Sequence, residues 1–94
     1  MKSMENDEIA NHLLLKLYRL GAWGTRHVSE SNLQKGFPPE ARGKWLLRIA
    51  EDLRKQGLLF KRPSHHEYQW SLVWEMKPEI ERRIEMIAGG ENLI

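Results

Sequence analysis

Pro38-Pro39-Glu40-Ala41-Arg42-Gly43-Lys44-Trp45-Leu46-Leu47-Arg48-Ile49-Ala50-Glu51-Asp52-Leu53-Arg54-Lys55-Gln56-Gly57 runs directly into Leu58-Leu59-Phe60-Lys61-Arg62-Pro63-Ser64-His65-His66-Glu67-Tyr68-Gln69-Trp70-Ser71-Leu72. In the first half Ala41, Trp45, Leu46, Ile49, Ala50 and Leu53 recur at helical spacing, which predicts an amphipathic helix over about 39–56 that Gly57 ends. In the second half two apolar-rich runs, Leu58 to Lys61 and Tyr68 to Leu72, flank a turn, which predicts a hairpin over about 58–72 with a basic tip. Strand alternation places Tyr68, Trp70 and Leu72 on one face, ready to cover the helices.

Working outward from this stretch, Ile9, Leu13, Leu14, Leu17 and Leu20 mark a first helix, with Asn6 or Asp7 as its cap and Gly21 as its stop. Gly21 to Ser29 suits a turn and a short extended piece, with Trp23 as a buried anchor. Ser29 or Ser31 can cap a brief helix over Glu30 to Lys35, and Phe37-Pro38-Pro39 turns the chain into the next one. Pro78 opens a last helix over about 77–88, in which Ile80, Ile84 and Ile87 share a face and which Gly89-Gly90 ends. The expected fold is mainly α with a small antiparallel β-hairpin (α+β), in the order α-β-α-α-β-β-α. It forms one domain spanning 1–94, with an ordered core over about 7–88.

With 94 residues the chain suffices for a single core. Fifteen Lys and Arg against 13 Asp and Glu give a net charge of +2, so attraction to phosphate depends on how the charges segregate. There is no cysteine, which excludes disulfides and thiolate metal sites. The N-terminus is polar and acidic, and no apolar run approaches the ~20 residues of a membrane span, so a cytoplasmic, soluble protein without a membrane partner is expected. No nucleophile elbow or phosphate-cradling glycine loop is present, and the acidic residues are spread over helical surfaces, so an enzyme is not expected. Neither a cofactor nor a small-molecule ligand is implied. His65 and His66 are adjacent and face opposite ways in a strand, which argues against a metal site.

The order of elements resembles a winged helix-turn-helix domain over about Asp7 to Ala88. A closer likeness lies in Trp23-Gly24-Thr25-Arg26-His27-Val28-Ser29-Glu30-Ser31-Asn32-Leu33-Gln34-Lys35-Gly36-Phe37-Pro38 with Arg42-Gly43-Lys44 and Gly57-Leu58-Leu59, which is similar to small archaeal winged-helix proteins without an assigned function. The chain departs from that group at the wing tip, His66-Glu67-Tyr68-Gln69, and at Leu72-Val73-Trp74. The resemblance implies a recognition helix over about 39–56, a wing over about 58–72 and duplex DNA as partner, in a small transcriptional regulator.

On that reading the DNA-binding residues are Arg42, Lys44, Arg48 and Lys55 from the helix and Lys61, Arg62, His65 and His66 from the wing. Arg42 and Arg48 can fork onto guanine edges, a contact worth about 1–3 kcal/mol of discrimination, while Lys44 suits phosphate. The competing reading makes these ordinary surface charges, with Arg48 paired to Glu51 or Asp52 and with Lys61 and Arg62 guarding a strand edge. Ser29, Ser31, Asn32 and the Lys35-to-Pro39 turn could meet phosphate, but cap and turn geometry alone accounts for them. Four tryptophans suit the sealing of a small core. The alternative function is a protein-protein interaction module, or a homodimer, using Trp74, Ile80, Ile84 and Ile87 as a partner surface.

Overall fold

The first helix, α1 (Asn6–Arg19), buries Ile9, Leu13, Leu14 and Leu17 on one stripe and carries Asp7 and Glu8 in its first turn and Lys16 and Arg19 in its last, matching the helix dipole. The computed structural model in which it is seen describes residues 6–87. Gly21, at φ 66°, ends α1: its N–H donates to the Tyr18 carbonyl at 3.0 Å and the Ala22 N–H to the Leu17 carbonyl at 3.0 Å. This paired closure is the Schellman motif. It leaves Leu20 outside the buried stripe, 49% exposed, where periodicity placed it among the apolar residues.

Strand β1 (Val28–Ser29) leads into a one-turn helix, α2 (Glu30–Leu33), whose Asn32 N–H donates to the Ser29 hydroxyl. The expected helix over 39–56 is two pieces. Pro39–Ala41 form a 3₁₀ turn, Arg42 is extended, and Gly43, at φ 77°, precedes α3 (Lys44–Lys55). A left-handed residue cannot sit inside an α-helix, so the chain breaks at Arg42-Gly43, and the Gly43 N–H donates to the Gln34 side-chain oxygen at 2.9 Å. Helix α3 buries Leu46, Ile49, Ala50 and Leu53. Trp45, expected on that stripe, is exposed and its indole N–H donates to Asn6 Oδ1 at 2.8 Å.

Gly57 closes α3 just as Gly21 closes α1, with Leu58 N–H donating to the Leu53 carbonyl and both leucines buried. Strands β2 (Leu59–Pro63) and β3 (Tyr68–Leu72) form the expected hairpin, and β1 joins it in an antiparallel sheet of order β1-β3-β2. Leu59 faces Leu72, and Lys61, Trp70 and Val28 lie side by side across the three strands. Trp70 and Leu72 seal the sheet onto the helices, and the Trp70 indole N–H donates to Glu30 at 3.0 Å. A 3₁₀ turn, Trp74–Met76, leads to α4 (Lys77–Glu85). Among the described residues the fold is thus α+β, four helices with a three-stranded antiparallel sheet. The Gly89-Gly90 stop lies outside the described residues, among which no helix is long and apolar enough to cross a membrane.

The partner surface expected of α4 is corrected. Ile80 and Ile84 are fully buried against the protein's own core, Ile87 is partly buried on it, and only Trp74 is exposed. In a domain this small α4 is needed to cover α1, so the isoleucine face is used internally.

Candidate nucleic-acid interface

Lys44, Arg48, Glu51 and Lys55 are spaced by four, three and four residues, which aligns them in one stripe along α3 opposite its buried face. Lys44, Arg48 and Lys55 are exposed and make no ion pair among the described residues. Glu51 is neutralised from the side: Arg54 Nε donates to its Oε1 at 2.7 Å and Lys61 Nζ to its Oε2. The Lys61 hydrogen bond foremost, against burial and with help from Arg54, holds the Glu51 carboxyl below the usual glutamate range. The one acid in the stripe is therefore engaged with cations outside it, and the stripe presents positive charge.

The hairpin cations are arranged differently. Lys61 shares the inner sheet face with Trp70, and its ammonium lies 4.0 Å from the Tyr68 ring centroid and 5.3 Å from that of Trp70. With Glu51 on its tip and 24% of its side chain exposed, Lys61 joins β2 to α3 and is not a free wing cation. That corrects its expected role. Arg62 is exposed, one of its terminal nitrogens 3.2 Å from His27 Nε2, a contact in which the guanidinium can only donate. His65 and His66 are exposed at the tip, their ring centroids 6.3 Å apart. Glu67 does not pair with His66: it accepts from the Ser31 N–H at 2.9 Å and the Ser31 hydroxyl at 3.1 Å, tying the tip to the start of α2. The turn itself is closed by Ser64, whose hydroxyl donates to the Glu67 carbonyl at 2.6 Å.

Arg42 stands ahead of α3, not on it. Its Nε donates to the Phe37 carbonyl at 2.6 Å, fixing the turn between α2 and α3 while leaving the residue exposed at the head of the cationic stripe.

A second cationic locus was not legible in the sequence. Lys16 reaches from α1 to the end of α2, where its ammonium donates to the Asn32, Leu33 and Lys35 carbonyls, the last two at 3.1 and 2.5 Å. Burial first, then the charges of Lys35 and Arg42, push the Lys16 ammonium below the usual lysine range. Only its position between Leu15 and Leu17 hinted at an inward stem, a position any lysine at a helix boundary can occupy.

On the far side Tyr18, Trp23 and Trp74 form an edge-to-face ladder with centroid spacings of 5.8 and 5.2 Å, and Lys77 lies 4.8 Å from the Trp74 ring centroid. The Tyr18 hydroxyl donates to Glu81 at 2.6 Å, and that bond holds the phenol above its usual range. The ladder pins α4 to α1. Trp23 is only half-buried, and Trp74 is 57% exposed.

Comparisons with protein-family models, with curated proteins and with solved structures found no match to this chain.

Proposed function

We propose that this chain is a winged-helix protein that binds duplex DNA, a small cytoplasmic transcriptional regulator that acts by binding and not by catalysis. Helix α3 would enter the major groove and the β2–β3 hairpin would follow the flanking backbone. The observation that carries this reading is the α3 stripe, three exposed cations whose intervening carboxylate is already neutralised. The element order, the sheet order β1-β3-β2 and the short turn from α2 to α3 support it, because they leave the outer side of α3 uncovered beside a hairpin. Arg48 is the residue for a guanine edge, Lys44 and Lys55 suit phosphates, and Arg42, Arg62, His65 and His66 extend the basic surface at either end. Lys61 contributes only by holding Glu51.

The test is an anisotropy titration with labelled duplex DNA at about 50 and about 200 mM salt. The parent binds at low salt, and its log affinity falls linearly with log salt. Lys44→Ala, Arg48→Ala and Lys55→Ala together weaken binding and flatten the slope by about 0.9 for each phosphate that is no longer neutralised. Absence of duplex binding by the parent at low salt sinks the reading.

A further inference from the structure

Two grooves adjoin along α1. The first, of about 530 Å³, lies between α1 and the Lys35-to-Pro38 turn, and its apolar wall is Leu15, Leu20, Phe37 and Pro38. The second, of about 480 Å³, lies between the end of α1 and the approach to β1, walled by Leu20, Ala22 and Val28. They share Lys16, Leu20 and Lys35, so they form one trough with Leu20 in its middle. Its charged lining is of a single sign: Lys16, Arg19 and Lys35 border the first groove, Lys16, Lys35 and Arg26 the second, and no acidic residue lines either. Neither α3 nor the hairpin contributes a lining residue.

We propose that this trough docks an acidic, amphipathic peptide segment of a partner protein, apolar side chains seated around Leu20 and carboxylates meeting Lys35 and Arg26.

Charge complementarity selects this occupant. Burial first, and then the charges of Lys35 and Arg42, disfavour the Lys16 ammonium, so an anion seated beside Lys35 relieves part of a cost already present in the free protein. Phosphate contacts of a nucleic acid need cations alone, and a floor of leucine, phenylalanine, proline and valine gives them nothing. A neutral apolar segment would fill the floor but leave the rim unanswered. Carboxylates alternating with large apolar side chains answer both, the helix-in-groove mode with the charge sign fixed by the rim. This inference does not rest on DNA binding by α3, although Arg62 of the hairpin touches His27 on the rim of the trough.

The experiment titrates the full chain against a fluorescein-labelled peptide of about 16 residues with leucine on one helical face and glutamate on the other. Two control peptides replace glutamate by lysine, or leucine by serine. The acidic amphipathic peptide is expected to bind saturably, and neither control does. Leu20→Ser, which alters no charge at a half-exposed position, weakens the peptide about fivefold while duplex DNA affinity stays at the parent value. Lys35→Glu weakens the peptide about tenfold or more. The proposal is overturned by a lack of saturable binding, by equal binding of the leucine-free control, or by peptide affinity unchanged in both variants. Stoichiometric displacement of the peptide by duplex DNA would instead assign the trough to nucleic acid, and a dimer in sedimentation that Leu20→Ser dissolves would assign it to a second copy. Either result also overturns it.

Discussion

Helix α3 and the hairpin that follows it both carry cations that read alike in the sequence, yet the two regions present them differently. On α3 the side of the helix is settled by period alone, so Lys44, Arg48 and Lys55 lie opposite the buried leucines and remain exposed. On β2 the neighbours Lys61 and Arg62 point to opposite faces, and the register with β3 decides which one goes inward. Lys61 lies beside Trp70 and is drawn onto Glu51, whereas Arg62 lies beside Gln69 and stays at the surface. A helix sorts its charges by itself; a strand sorts them through its partner.

The most severe way to break this contrast is to remove the anchor that gives the hairpin its two faces. Trp70→Ala is expected to lower stability by about 3–5 kcal/mol, measured by urea unfolding, because a fully buried indole and its bond to Glu30 both disappear. Next in size, Arg48→Glu with Lys55→Glu should weaken duplex binding about 100-fold at low salt, while Lys61→Met, which leaves Glu51 to Arg54 alone, lowers it only about twofold to threefold. Equal losses from the two regions would erase the distinction. Lys61→Met itself should cost about 1 kcal/mol of stability in the same unfolding assay, since the stem still packs on Trp70 but the Glu51 pair is gone.

The smallest effect concerns acid. Because the Glu51 carboxyl is held below the usual glutamate range in the folded state, its stabilisation is complete above the unfolded value and is lost as pH falls through the folded one. Glu51→Gln should therefore flatten the stability profile between those two values, by less than about 1 kcal/mol given the partial exposure of the pair. The same change releases Lys61 and Arg54 beside the stripe and should raise duplex affinity about twofold to threefold in the anisotropy assay.

Much of the architecture was legible because it rests on local rules. The glycine stops at 21 and 57, the Ser29 cap, the hairpin bounds and the prolines at helix starts depend on residues within a few positions of one another. The misses were of another kind. A single helix over 39–56 is ruled out by the positive φ of Gly43, whose N–H is taken by the Gln34 side chain, a contact nine residues away that no helical pattern shows. Ile80 and Ile84 repeat with helical period whichever side their partner is on, so periodicity could not say that α4 faces its own core. Lys16 caps α2 across a gap of 16 residues or more, beyond any local pattern. Of the candidate site, the α3 stripe was legible and the engagement of Lys61 was not.

The matched closures of α1 and α3 make handedness a property of two single positions. Gly21 and Gly57 sit at φ 66° and 84°, and a methyl group added at either would touch nothing within 4 Å. An L-alanine there would be opposed by backbone conformation alone, whereas a D-alanine, whose preferred φ is the mirror image, would find its own backbone geometry already in place. In a chemically synthesised chain those two glycines are the places where inverting chirality should strengthen the fold, by narrowing the unfolded ensemble while the native backbone angles stay as they are.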